Sequence, residues 1–567
     1  MKSLNIRQKY TRWQRLRTAL YGRFSVFFEA FLALGLLVVV ITGNFLYYII
    51  TLHEHNPIKA LAGALALVVL QFQNIDRFDQ TGAALIVFNV FFTVFFAQSL
   101  LNAIRGLVRP KDIHVRQRAL ASTLRHHVIV CGLGRVGLRV AQRLVASGTQ
   151  VVIVEAAWGS EYVPDAVDMA IPVIAGDATR SATLEKAGIQ RAKGVIACID
   201  GDLTNLEIAL LARSIRKDIR VIVRSFRDDF DRGLERRYGP QTAFSASALA
   251  APTFGLATVV RNLEYVIPFG NTHLGVIQVV LPRNRHLSEL VSAFERQQQL
   301  RILLDRVEKG EQHCVVLGPL SVLATINAAC AVLPTQPVAA TGISPWSPND
   351  RVIICGLGKI GYRVLRLLHS LTPHLQIVVI TKPDESRTFA RQIDRLERVV
   401  VKHGDARDAD LLMEAGMQHA LAVAAVTSDD LTNLQIGLEA RRLRPDIHLV
   451  LRVFSDSLAD QLVDLFGIHT TYSVSNLASP TLAANASLIG VQGAFAINDN
   501  VYTVQTVTLG KQHLLIGRSS GWVLKQFGVI TLLDDAQGVF PTHDRVLKAG
   551  EKVTLLGTLP QLTKLSH

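Results

Sequence analysis

The feature that most constrains this chain is an internal duplication. The segment HVIVCGLGRVG at residues 127–137 recurs as RVIICGLGKIG at 351–361. GDA at 176–178 recurs at 404–406, DLTNL at 202–206 recurs at 430–434, and Arg-x-Phe at 224–226 recurs at 452–454. The offset is 224 residues at the glycines and 228 at the later landmarks, so a single four-residue insertion separates two copies of one unit. A chain built this way folds as two related domains in tandem, each under the same local constraints.

Each copy opens with a β-branched run, Val128–Val130 or Val352–Ile354, followed by Gly-x-Gly-x-x-Gly and then apolar residues at helical spacing. Strand, tight turn, helix is the beginning of a dinucleotide-binding α/β unit. In that unit Gly132 and Gly356 make the turn, Gly134 and Gly358 let a pyrophosphate approach the backbone, and Gly137 and Gly361 let helix pack on strand. Arg135, Val136, Lys359 and Ile360 open the helices, where N–H groups lack intrahelical partners. A second strand ends in Glu155, 23 residues after Gly132, where a carboxylate accepts hydrogen bonds from ribose hydroxyls. The second copy runs instead into Thr381 and Lys382. Without the acid, that site takes a ribose phosphate, takes another ligand, or is vestigial.

Asp177 with Ala178, and Asp405 with Ala406, follow a third strand at the carboxyl edge of the expected parallel sheet, where they face a ligand or cap the next helix. Thr204, Asn205, Thr432 and Asn433 open further helices, where they donate to phosphates or serve as caps. The fold class expected is α/β, with two tandem Rossmann-like doubly wound domains. NAD or an adenine nucleotide such as ATP or ADP is the expected cofactor, in the first module ahead of the second.

Before the repeat, the residues from Phe24 to Leu52 and from Gln80 to Ile104 form apolar runs long enough for crossing helices of about 20 residues. The run from Ala60 to Leu70 is too short to span. Residues 1–125 carry 15 Lys and Arg against five acids, so +10 of the net +14 flanks the apolar runs. That is the pattern of a membrane protein with both termini cytoplasmic, and it argues against a nucleic-acid surface. The expected order is a basic N-terminus (1–23), an all-α membrane domain of span, re-entrant helix and span (24–104), a linker (105–125), a first module (126–333), a proline-rich linker (334–350) and a second module (351–567). Gln71, Phe72, Gln73 and Asn74 would line any pore. The five cysteines have no metal-ligand spacing and read as reduced core residues, and no metal site is expected.

The glycine turns, GDAT and GDAR, the DLTNL helices, the strand ends at Arg224 and Arg452, and the terminal stretch from Asp544 to Gly557 resemble regulator-of-potassium-conductance (RCK) domains of potassium channels and potassium uptake systems. The resemblance covers about residues 125–567. It implies small α+β subdomains closing each copy, pairing through a helix after the Rossmann core, nucleotide contacts from Arg224 and Arg452, and a homotetramer whose ring of modules pulls on a pore in the inner membrane. One departure stands out. No glycine lies between Gly63 and Gly82, so a potassium filter of stacked carbonyls is not encoded. Three functions follow: a nucleotide-regulated potassium channel or transport protein, a non-conducting membrane sensor docking on another transporter, and an NAD-dependent oxidoreductase. The last lacks an evident proton donor, and a non-enzymatic role is expected.

Overall fold

The computed structural model describes residues 7–50, 52–68, 87–98, 113–225, 235, 242–270, 272–281, 285–297, 299–308, 311–331, 350–383, 389–393, 395–454, 458–459, 461–462, 468, 470–533, 539–541 and 544–565. The chain divides into two compact units, residues 9–124 and residues 125–567 together with the first eight.

In the smaller unit, helices cover Arg12–Ile50, Pro57–Val68, residues 87–98 and Ile113–Thr123. The second starts where its sequence dictates: Pro57 has no N–H to lose at a helix start, and the Asn56 side chain accepts from the Ile58 N–H at 3.0 Å. Buried Asn44 and Asn89 exchange amide hydrogen bonds at 2.9 and 3.0 Å, so two polar groups in an apolar setting satisfy each other. Large apolar side chains face outward, with Val39 63%, Ile58 78% and Phe91 72% exposed. Among the described residues no helix is long and apolar enough to cross a membrane. The two expected crossings are therefore not established by the structure. Gln71, Phe72, Gln73 and Asn74, the linker at 334–349, and both ends of the expected second span lie outside the described residues.

The larger unit contains two six-stranded sheets of identical topology. The first holds β1 (Val128–Cys131), β2 (Val151–Glu155), β3 (Val173–Ala175), β4 (Gly194–Ala197), β5 (Arg220–Ser225) and β6 (Ala243–Ser245) in the order β3-β2-β1-β4-β5-β6. All neighbours are parallel, with Val128 beside Val151 on one side and Gly194 on the other. Strands so placed are covered on both faces and read as unbroken apolar runs, as Val128 to Cys131 does, all four fully buried. The second sheet, β11 (Arg351–Cys355), β12 (Gln376–Thr381), β13 (Val399–His403), β14 (Ala420–Ala425), β15 (His448–Arg452) and β16 (Thr471–Tyr472), repeats the order as β13-β12-β11-β14-β15-β16.

Each Rossmann sheet is followed by a four-stranded antiparallel sheet. These are β7 (Leu263–Phe269), β8 (Thr272–Leu281), β10 (Glu311–Pro319) and β9 (Arg301–Glu308), and then β17 (Val491–Ile497), β18 (Asn500–Thr508), β20 (Lys552–Thr558) and β19 (Ile530–Leu532), in those orders. The small α+β subdomains implied by the resemblance are thus present twice.

The modules exchange helices. Ala246–Leu256, after the first sheet, packs on Lys359–Leu371 of the second module, while Val474–Ser487 packs on Arg135–Ala146 of the first. Leu482, Ala483 and Ala486 consequently belong to the apolar core of the first sheet. Arg143 ties the same seam, donating to the Asn498 carbonyl at 2.9 Å and to Asn476 Oδ1 at 2.8 Å. The module boundary read from the sequence is therefore not a boundary in packing. Each core is completed by its neighbour.

His127, fully buried at the entrance to β1, sits 2.9 Å by its Nε2 from the Ala187 carbonyl. Burial, opposed only by that hydrogen bond, pushes its pKa down to about 4. An unfolded histidine takes a proton near pH 6.5 and the folded one does not, so stability falls as pH drops from about 6.5 towards 4, by on the order of 3 kcal/mol. Thermal unfolding across this range should show that loss, and His127→Gln should reduce it without abolishing it, because burial also pushes the His448 pKa down to about 4. A profile unchanged in the variant would remove His127 as its source.

Candidate functional site

At the carboxyl end of β1 the backbone turns through Gly132 at φ +98°, a left-handed conformation that favours glycine. A Cβ on Gly137 would lie 2.0 Å from the Gly132 carbonyl oxygen, so the third glycine lets the helix Arg135–Ala146 sit directly on the turn. Gly134 differs from both. Nothing lies within 4 Å of where its Cβ would be, and no side chain caps the helix start. The open space and uncapped N–H groups form a cradle suited to a phosphate. Gly356 at φ +100°, Gly358 and Gly361 repeat this arrangement, with the same 2.0 Å approach at Gly361.

A cleft of about 700 Å³ opens above the first turn. Gly132, Gly134, Arg135, Val136, Glu155, Asp177, Ala178 and Arg224 line it, eight residues from four separate landmarks of the sequence. This is the crevice between β1 and β4, where the strand order reverses and open parallel sheets bind ligands. Glu155 accepts from the Leu133 N–H at 2.6 Å and the Ala157 N–H at 2.8 Å, one on each oxygen. A carboxylate offers about four acceptor positions, so capacity remains for two ribose hydroxyls. Asp177 is turned onto its own loop, accepting from the Thr179 N–H at 2.9 Å and hydroxyl at 2.7 Å, and these bonds hold its pKa low. Arg224 pairs with Asp200 at 2.8 Å.

A second cleft of about 490 Å³ lies over the other turn, lined by Gly358, Lys359, Ile360, Arg452 and also Arg224. Thr381, in the place of Glu155, is buried and supplies no acid. Lys382, Asp405 and Ala406 do not line this cleft. Asp405 is engaged by Arg407, whose guanidinium donates to both carboxylate oxygens at 3.0 and 2.6 Å and holds its pKa down to about 2.

Four residues expected to donate to phosphates or serve as caps line neither cleft. Asn205 is fully buried, its amide spent on the Ile199 N–H (2.9 Å), the Ile199 carbonyl (2.7 Å) and the Arg224 carbonyl (2.9 Å). Asn433 makes the matching bonds to Thr427 and to the Arg452 carbonyl at 3.0 Å. These asparagines fix the loops from which the arginines project. Thr204 and Thr432 line neither cleft, and the Thr432 N–H is taken by the helix-capping carboxylate of Asp429 at 2.7 Å. Sequence reading missed Tyr162 and Phe454, and did not foresee that Arg452 lines both clefts. The signal was available in the repeated Arg-x-Phe at the strand ends.

Two doubly wound sheets with glycine turns, paired by exchanged helices and closed by small antiparallel sheets, define a tandem Rossmann-type protein. Residues 128–245 and 352–474 each match the TrkA-N domain. The chain thus carries two TrkA-N (RCK) domains in tandem. It is 31% identical over 230 residues to "Potassium channel protein 1" of Methanocaldococcus jannaschii, covering 39% of this chain and 66% of that one. It is 25% identical over 338 residues to "Trk system potassium uptake protein TrkA" of Azorhizobium caulinodans, covering 56% of this chain and 70% of that one. A solved structure titled "GsuK channel bound to NAD" shares the fold over 96% of this chain and 99% of its own, at 16% identity and a TM-score of 0.55.

The glycines make separable predictions. Gly137→Ala should lower the unfolding temperature, because its methyl collides with a backbone carbonyl. Gly134→Val should fold with a near-native midpoint yet lose NAD binding measured by calorimetry, because its side chain fills the cradle. Equal thermal loss in both variants would contradict the distinct roles.

Proposed function

We propose that this chain is a membrane-attached regulator of potassium transport, in which NAD or an adenine nucleotide in the first Rossmann cleft biases the transport pathway. One observation carries the reading. The first cleft combines an open, uncapped glycine turn with a ribose-side carboxylate, Glu155, whereas the second has Thr381 there. In such a site the turn's N–H groups and Arg135 face the phosphates and Glu155 selects an unphosphorylated ribose. The names of the relatives, a potassium channel and a potassium uptake protein, supply the transported ion for this proposal.

The apolar side chains exposed by residues 9–124 and their basic flanks support attachment to the inner membrane with both termini cytoplasmic. A homotetramer would place eight TrkA-N domains around one axis. A ligand acts there only by binding one arrangement better than another, and about 1 to 3 kcal/mol of difference gives a useful switch. The role is that of a sensor, without turnover of the nucleotide. Conduction by this chain itself and docking on a separate transporter both fit the site. Recordings from purified protein in bilayers, with and without NAD, distinguish them.

Glu155→Ala tests the assignment on the full chain. It should weaken NAD binding roughly tenfold or more, since hydrogen bonds to a charged group contribute about 1.5 to 3 kcal/mol, while leaving the unfolding temperature close to native. Unchanged affinity would remove Glu155, and with it the ribose reading.

A further inference from the structure

The first cleft is not closed by its own module. Arg452 and Phe454, from the end of β15, line it together with Val474 and Ser475, all four from the second module. The Phe454 ring is flanked by two guanidiniums, with the Arg135 Cζ 4.6 Å and the Arg452 Cζ 4.4 Å from its centroid. Each cation gains from the ring face, but the two repel each other.

The second module's contribution is held in position. The Asn433 amide binds the Arg452 carbonyl at 3.0 Å, and both oxygens of Asp430 accept from the Phe454 N–H at 2.9 Å. Arg452 itself donates through Nη1 to the Thr427 carbonyl at 3.0 Å, while its Nε is buried without a hydrogen-bond partner among the described residues. Burial is the main cause that holds its pKa down to about 10; Asp430 opposes the shift and Arg135 adds to it. The nearby carboxylate is already committed to a backbone N–H. A half-buried cation whose Nε lacks a partner, beside a second cation at the mouth of a cleft, is a site that gains from an anion.

We propose that Arg452 reaches across from the second module and, with Arg135, clamps the phosphate groups of the nucleotide bound in the first cleft. This rests on the nucleotide reading of that cleft. Its consequence concerns regulation: a phosphorylated ligand stitches the two modules together, and an unphosphorylated nucleoside does not. The second module then serves as part of the first module's site, which accounts for its keeping Arg452 and Phe454 while lacking the ribose-side acid.

The test uses the full chain with two probes, ADP and adenosine, by calorimetry and thermal shift. Arg452→Gln should weaken ADP by about tenfold or more, the scale of a charge-assisted hydrogen bond, and leave adenosine within about twofold. It should also abolish the extra thermal stabilisation that ADP gives over adenosine. Arg452→Lys, which keeps the charge without the fork, should recover part of the ADP affinity. ADP affinity unchanged in Arg452→Gln overturns the clamp. An equal loss for both probes also overturns it, because Arg452 then acts on the shape of the cleft. A native chain that binds neither probe overturns the clamp, and if it also fails to bind NAD the nucleotide reading itself falls. Weakening of both probes by Glu155→Ala shows that the cleft reading survives whichever way Arg452 behaves.

Discussion

The arrangement depends on a reciprocal exchange of helices. Val474–Ser487 is buried along nearly its whole length, with small residues such as Ala478, Ser479, Ala483 and Ala484 inaccessible to solvent. Small side chains let backbones approach closely, so the helix packs against the first module on one face and its own module on another. Leu482, fully buried in the core of the first sheet, contributes roughly 1.5 to 3 kcal/mol to that docking. The partner helix, Ala246–Leu256, performs the same service for the second module, where Phe254 joins the core containing Val352 and Val364. His448 adds a polar link, its Nε2 lying 2.7 Å from the Ala257 carbonyl. Without this exchange neither sheet has a complete cover.

Exchange also explains the unequal clefts. Pairing brings the carboxyl ends of β5 and β15 close to one seam, so Arg224 and Arg452 line both clefts. A duplicated module under such packing can lack the ribose-side acid and still shape a cleft, because its strand end lines the neighbouring one. Thr381 in place of Glu155 and Arg407 locked on Asp405 are changes of that kind. They alter one cleft and leave the seam intact.

Much of the local structure was legible in the sequence, because local structure obeys local rules. The glycine turns, the strands before them and the position of Glu155 follow from backbone geometry that few other residues permit. The exchange was legible only through the resemblance, since no periodicity within Val474–Ser487 names its partner. A helix with twelve of fourteen residues buried does carry a hint, being apolar or small on all sides. The loop-holding bonds of Asn205 and Asn433 were not legible for a similar reason: an asparagine at a helix start suits a phosphate or a loop carbonyl equally, and only the fold places the Arg224 and Arg452 carbonyls within reach. The apolar N-terminal runs are plain in the sequence, while among the described residues no helix is long and apolar enough to cross a membrane.

The central claim is that one of two homologous clefts carries the nucleotide. Equilibrium dialysis of the purified full chain against labelled NAD counts the sites directly. The account predicts one NAD per chain, reduced towards zero in Glu155→Ala. Two equivalent sites per chain, or one site indifferent to Glu155, would contradict it.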